Sequence, residues 1–351
     1  MPRIVEDRGF QPPAWLRSRH LQSILPSLPP LRTLAIARAR AVTASAEEWL
    51  LDCGEGTRLQ AWYSAPRPVS GPAAAAAAAP AVAAAPAAEG VIGRLAVLLH
   101  GWEGSADSAY VLSLAAELLP RGFHVVRLNL RDHGDTHHLN PGLFHSCRLP
   151  EVIGAVKAIA ARARPGRLYG AGFSLGGNFL LRVAASGQAP PMLAGIAAVS
   201  PVLEPARTLD AMESGPRVYE RYFVRKWLKS LRHKERHWPQ RYDIDTTLTD
   251  RTLRGMTAAL VDRHTEYPTL ADYLSGYAIT GTRLATLAVP ARLLTAADDP
   301  IIPAGDLERL AATPLLTVVR TRHGGHCGFI DRPGRASYAD RFVVEAFAAF
   351  G

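Results

Sequence analysis

Apolar and polar positions fall into three rhythms along this chain. In residues 47–64 (EEWLLDCGEGTRLQAWYS) two apolar runs flank Gly54-Glu55-Gly56, the pattern of a β-hairpin around a turn. From residue 94 short apolar runs alternate with stretches of helical spacing. Leu95–Leu99 is continuously apolar, as expected of a strand covered on both faces. Ala109–Leu119 has helical spacing and ends at Arg121-Gly122, and His124–Leu130 reads as a strand. Leu149–Ala161 reads as a helix, Arg167–Phe173 as a strand, Leu175–Ala185 as a helix and Ala194–Val199 as a strand. Arg292–Ala297 and Leu315–Val319 add strands, and Tyr338–Phe350 closes the chain as a helix. Such alternation, with right-handed crossovers, predicts an α/β fold: a mostly parallel sheet with helices on both faces.

Three stretches break the rhythm. Residues 9–33 are rich in Pro with scattered large apolar residues, and they predict an arm lying on a domain surface. Residues 71–90 are almost all Ala, Pro and Gly, and they predict an insertion between strands with little chemistry of its own. Residues 205–287 have helical spacing and no clear strand. Tyr219, Phe223, Trp227 and Leu231 recur every four residues on one face, with bases on the other. We expect a helical cap over the C-terminal edge of the sheet. The expected layout is an arm (1–46), a first part of the core (47–204), the cap (205–287) and a second part of the core (288–351).

Composition narrows the classes. The chain has 351 residues, 48% hydrophobic and 20% charged, a globular balance with no apolar run near the ~20 residues of a membrane helix. The start, MPRIVEDRGFQPP, lacks the apolar stretch of a secretory signal. Cys53, Cys147 and Cys327 are widely spaced and form neither a disulfide framework nor a zinc pattern, so a reducing cytoplasm is the expected home. The net charge is +9, much of it local. Between Arg217 and Arg241 nine basic residues stand against Glu220 and Glu235. This predicts a solvated cap face, or a surface attracted to anionic lipid or acidic acyl substrates. No nucleic-acid-binding pattern accompanies the charge.

The sharpest chemical signal is Gly172-Phe173-Ser174-Leu175-Gly176, a G-x-S-x-G between a predicted strand and a predicted helix. That context is the nucleophile elbow: a strained turn lifts a serine hydroxyl above the sheet edge at the positive end of a helix. A serine hydroxyl needs a base held by a third group. After an elbow the acid and then the histidine follow in chain order, each beyond a later strand. Strand Arg292–Ala297 runs into Asp298-Asp299-Pro300, and strand Leu315–Val319 into His323-Gly324-Gly325-His326. Either aspartate and either histidine can fill the roles on this reading. An oxyanion hole needs two backbone N–H groups. We expect them from Leu175 and from the loop His100-Gly101-Trp102-Glu103-Gly104-Ser105, with Trp102 as the donor there. His133, Asp135, His137, His138 and His145 tempt a zinc reading, but their spacing fits no zinc signature, and no metal or other cofactor is expected.

Together these residues resemble the α/β-hydrolase superfamily, and within it the YheT-like group of predicted esterases, which includes the ABHD-type lipid hydrolases. Further residues support the resemblance. Phe10-Gln11-Pro12-Pro13-Ala14-Trp15-Leu16-Arg17 and His20-Leu21-Gln22-Ser23 resemble that group's leader. Leu98–Ser105 resembles its oxyanion loop, and Gly172–Asn178 and His323–Phe329 its elbow and histidine loop. The text Arg131-Asp132-His133-Gly134-Asp135 departs from the Arg-Gly-Cys-Ser-Gly-like loop typical there, which marks a distinct subfamily. The resemblance implies Asp299, directly before the Pro, as the acid and His326, followed by a Gly-Phe, as the base. It implies a carboxylesterase acting on a small acyl ester, including lipid esters, with Ser174, His326 and Asp299 as a triad. A thioesterase, amidase or acyltransferase would use the same groups, and a non-catalytic binding protein could keep the scaffold. His100, Gly101, Phe173 and His145 are expected to line the substrate site, beside a polar entrance loop at 131–146.

Overall fold

The structure, a computed structural model, describes residues 2–66 and 91–351, so the alanine-rich insertion expected at 71–90 lies outside the described residues. The described residues form a sheet of nine strands. In chain order these are β1 (Arg3–Asp7), β2 (Glu47–Asp52), β3 (Arg58–Ser64), β4 (Ile92–Leu99), β5 (Phe123–Leu128), β6 (Pro165–Phe173), β7 (Leu193–Val199), β8 (Ala291–Ala296) and β9 (Leu316–Thr321). Their spatial order is β1-β9-β8-β7-β6-β4-β5-β3-β2. Only the pairs β2–β3 and β3–β5 are antiparallel. The expected hairpin is the pair β2–β3, and the predicted run of parallel strands is β4 to β9, to which β1 adds an unpredicted edge.

The apolar runs are continuous because the sheet is covered twice. Along β4, Leu95, Val97 and Leu99 enter one buried cluster while Ala96 and Leu98 enter the other. The helices Leu149–Ala163 and Leu175–Ala185 cover the first face, and Ala109–Leu118 and Tyr338–Ala349 the second. Each fully buried Leu on either face contributes about 1.5–3 kcal/mol.

The N-terminal arm is more than a surface strap. Residues 3–7, which carry no clear alternation, form the edge strand β1, paired in parallel with β9 from Arg3↔Thr317 to Asp7↔Thr321. A strand at an edge needs backbone pairing more than an apolar face, and β1 is mostly exposed, so periodicity does not announce it.

Between β7 and β8 every regular element is a helix: Pro205–Ser214, Arg217–His237, Ile244–Thr247, Leu253–His264 and Leu270–Gly276. On the 21-residue helix Arg217–His237 the expected apolar stripe is turned inward, with Tyr219 and Leu231 buried and Phe223 and Trp227 half-buried. The expectation that all its bases face outward fails at Lys234, which is fully buried. Its ammonium lies 2.7 Å from Asp132 Oδ1 and donates to the carbonyls of His137 and Asn140, so one base pins the cap to the loop beneath it.

Candidate active site

Strands β4, β6, β7, β8 and β9 run parallel, so their carboxyl ends share one rim. Every residue of the expected catalytic set lies just past one of those ends. Ser174 follows β6 with φ 51° and ψ −118°, a strained conformation for a residue with a side chain. The turn is possible because its neighbours are bare. A Cβ on Gly172 would lie 2.5 Å from the backbone of Gly176, and one on Gly176 would strike the carbonyls of Leu99 and His100. Strand, elbow and helix therefore close to backbone contact, and the serine is left standing at the helix start.

His326 Nε2 lies 3.0 Å from Ser174 Oγ, and His326 Nδ1 lies 3.0 Å from Asp299 Oδ2. Asp299 is fixed by its own turn: its Oδ1 accepts the N–H groups of Ile301 (2.8 Å) and Ile302 (3.0 Å). The neighbouring Asp298 turns elsewhere, accepting the Gly325 N–H at 3.0 Å and standing 3.5 Å from His323 Nδ1. Burial works against a charge on the His326 ring. Cys327 and the hydrogen-bonded Asp299 carboxylate outweigh it, and hold the imidazole well above its ordinary pKa of 6.5.

The loop after β4 passes close to the serine: a Cβ added on Gly101 would lie 3.2 Å from Ser174 Cβ. Its N–H groups are distributed unevenly. That of Gly101 donates to Tyr110 Oη (3.0 Å), that of Glu103 to His133 Nε2 (3.1 Å) and that of Gly104 to the Gly101 carbonyl (2.9 Å). Those of Trp102 and Leu175 donate to no group among the described residues. The cap roofs this loop: Trp102 stacks on Phe223 at 5.3 Å, meets Trp227 edge-on at 5.1 Å, and Lys226 Nζ donates to the Glu103 carbonyl at 2.6 Å. Burial pushes the Glu103 carboxyl up to about 7, and the Lys226 charge opposes that rise.

Three residues expected to line a substrate site do other work. His100 is fully buried and its ring is spent on backbone, with Nδ1 2.7 Å from the Gly101 carbonyl and Nε2 accepting the Leu130 N–H at 3.2 Å. Burial and the neighbouring His133 push its pKa well down, so it is a neutral brace for the loop. Phe173 is 1% exposed and packs on Tyr110 at 4.6 Å, inside the core. His145 packs against Tyr267 and Tyr273, beside the far end of the elbow helix where Arg182 bonds the Ser146 carbonyl. Much of the loop 131–146 is likewise buried and braced, while Gly134, Asp135, His138 and Pro141 are exposed. Arg131 pairs with Glu151 at 2.6 Å, His133 spans the Arg131 carbonyl and Glu103, and His137 meets Ser230 of the cap at 2.8 Å. Among the described residues no three His, Cys, Asp or Glu side chains converge to hold a metal.

Sequence reasoning gives no role to the hydroxyls of Tyr110 and Tyr219, and it notes Gln22 and Ser23 only within the leader that resembles the YheT-like group. Tyr110 falls on the helical pattern as one more apolar position, and its hydroxyl carries no local signal. Tyr219 was placed on the apolar stripe, but its hydroxyl also meets His20 Nδ1 at 2.9 Å. Gln22 and Ser23 reach the site only through tertiary packing.

A sequence model of the alpha/beta hydrolase family matches residues 96–338. The mouse protein named Phospholipase ABHD3 is 28% identical over 261 residues, covering 70% of this chain and 61% of its own. The Picea glauca protein named Embryogenesis-associated protein EMB8 is 26% identical over 265 residues, covering 71% and 57%. YheT of Escherichia coli strain K12, which carries the name of an esterase, is 25% identical over 242 residues, covering 67% and 70%. The match thus spans less than two thirds of the spruce and mouse relatives. Among solved structures, a bacterial membrane phospholipase A superposes with a TM-score of 0.51 at 17% identity, covering 94% of both chains. An esterase of Pyrococcus furiosus does so with 0.51 at 13%, covering 87% and 91%. These likenesses concern the fold. The order of the eight strands from β2 to β9, the elbow and the matched family model agree, and the chain belongs to the α/β-hydrolase family, among relatives of the YheT and ABHD kind.

Proposed function

We propose that the protein is a serine hydrolase that cleaves carboxylic esters through an acyl-enzyme. The observation that carries this reading is the unbroken hydrogen-bonded series Ser174–His326–Asp299, with 3.0 Å at both steps. Ser174 Oγ attacks the acyl carbonyl carbon while His326 Nε2 takes its proton. Asp299 keeps Nδ1 protonated and stabilises the imidazolium. The carbonyl oxygen, now an oxyanion, is received by the N–H groups of Trp102 and Leu175. The tetrahedral intermediate collapses, His326 protonates the leaving alcohol, and the acyl group stays on Ser174. A water, deprotonated by His326, then releases the acid and restores the serine. The steps balance without a cofactor.

The aromatic roof of Trp102, Phe223 and Trp227 favours an apolar acyl group over a charged one. The name of the mouse relative extends the proposal to lipid esters. The exposed bases of the long cap helix, interspersed with exposed Val218 and Tyr222, would then serve as contact with an anionic lipid surface.

Fluorophosphonate labelling tests the nucleophile. Wild type is expected to label at one serine, and Ser174→Ala to lose both labelling and hydrolysis of p-nitrophenyl esters, by at least about 10³-fold. Labelling that persists in the alanine variant would remove Ser174 from the role. A series of p-nitrophenyl esters of increasing chain length then ranks the acyl group, with longer chains favoured up to the depth of the aromatic roof.

A further inference from the structure

Several features outside the triad invite a role: the buried Lys234–Asp132 pair, the Glu103 carboxyl of the loop after β4, the basic face of the cap and the N-terminal arm. The arm carries an inference furthest, because four of its residues meet the histidine loop or the cap at named atoms.

The loop 323–330 has one backbone hydrogen bond of its own, from the Phe329 N–H to the Gly324 carbonyl at 3.1 Å. Gly324, Gly325, Cys327 and Phe329 all take positive φ, two of them with side chains, and such strain persists only where surrounding contacts over-determine it. Thr321 Oγ1 donates to the His323 carbonyl at 2.5 Å, and four further side chains supply contacts. Asp298 accepts the Gly325 N–H at 3.0 Å, and Ser200 Oγ accepts the Cys327 N–H at 3.3 Å. The other two come from the arm. Ser23 Oγ accepts the backbone N–H of His326 itself at 2.8 Å, while donating to the Arg19 carbonyl at 2.7 Å. Gln22, fully buried, grips Ile330 at both backbone groups: its Oε1 accepts the N–H at 2.7 Å and its Nε2 donates to the carbonyl at 2.8 Å. That same Nε2 also donates to the Leu16 carbonyl, also at 2.8 Å.

The fit is close enough to exclude side chains on the loop. A Cβ on Gly325 would strike the Arg19 carbonyl, and one on Gly328 the Gln22 carbonyl. The arm is in turn anchored on both sides. Phe10 packs between Phe329 and Tyr338, β1 extends the sheet at β9, and His20 Nδ1 meets Tyr219 Oη of the cap.

We infer that Gln22 and Ser23 are positioning residues for His326: these two side chains of the short helix Arg19–Ile24 hold the imidazole in register between Ser174 and Asp299. The inference rests on the triad reading above, and it deepens that reading by adding residues some 300 positions upstream of the histidine they hold. Neither side chain touches the reacting atoms. Ser23 acts through the backbone N–H of His326 itself, and Gln22 through the backbone of Ile330 at the end of the same loop.

The test compares Ser23→Ala, Gln22→Ala and the control Leu21→Ala, whose side chain is exposed on the same helix. The readouts are the second-order rate of fluorophosphonate labelling, its pH dependence and the melting temperature. Ser23→Ala and Gln22→Ala are expected to slow labelling by about 10- to 100-fold, the range of a misplacement near 1 Å. The acid limb of the pH profile is expected to move down as the Asp299 contact loosens, and Leu21→Ala to match wild type in both. Folded variants that label at the wild-type rate with an unmoved limb would overturn the inference. So would a loss that only tracks the unfolded fraction. Should Gln22→Ala not fold, Ser23→Ala, which removes a single oxygen, decides alone. A wild type that does not label at Ser174 would bring down the triad reading instead, a result distinct from equal labelling of wild type and variants.

Discussion

Asp298 and Asp299 are consecutive, and their carboxylates have separate duties. Asp299 faces the His326 ring, and Asp298 faces a loop amide and His323. Asp299→Asn is therefore expected to lower kcat by about 10⁴, because the wrong imidazole tautomer is favoured. Asp298→Asn, which still offers an oxygen to the Gly325 N–H, should cost far less. The ratio of the two kcat values on one p-nitrophenyl ester checks the assignment. The pH dependence has a definite sign. A general base must be neutral, and a raised pKa postpones neutrality to higher pH. Burial of His326 is outweighed by Cys327 and Asp299, so kcat/KM should rise with pH through a midpoint above 6.5, and that midpoint should fall in Asp299→Asn. Steady-state rates over a pH series read both. The triad candidates are legible because each follows a short, mostly apolar run that reads as a strand in an alternating series. His100, Phe173 and His145 were misjudged because proximity in sequence to a motif says nothing about which way a side chain turns.

The helix Arg217–His237 combines two functions that its pattern shows separately. Its apolar stripe was readable from the four-residue spacing. Lys234 was not, although it follows Leu231 by three residues and so shares the buried face. A lysine is read as solvated until a partner is known, and the partner, Asp132, is about a hundred positions away. Removing one member of such a pair strands the other charge. Lys234→Met should lose about 3–5 kcal/mol of unfolding free energy, and Asp132→Asn combined with Lys234→Met should recover most of it. Urea unfolding of wild type, both single variants and the double variant measures the coupling. Because the pair joins cap to loop and the loop braces Glu103 through His133, Lys234→Met should also slow labelling at Ser174.

Across the whole molecule, Arg217, Arg221, Arg225 and Lys229 repeat every four residues on the exposed side of the cap, beside exposed Val218 and Tyr222. If this face meets lipid, the protein should co-sediment with vesicles containing phosphatidylserine and not with neutral ones. Reversing Arg221, Arg225 and Lys229 to Glu should abolish it, at about 1 kcal/mol per charge, and salt should weaken it. Binding to neither vesicle would leave the face simply solvated. No helix among the described residues is long and apolar enough to cross a membrane. Read alone, the chain determined its layered α/β architecture, its G-x-S-x-G turn and the two short stretches that carry Asp299 and His326, because hydrophobic periodicity and chain order are local properties. Only the folded chain decided which aspartate meets which histidine, that residues 3–7 close the sheet edge, and that Gln22 and Ser23 grip the histidine loop. Those pairings depend on distances between residues far apart in sequence, which no local pattern carries.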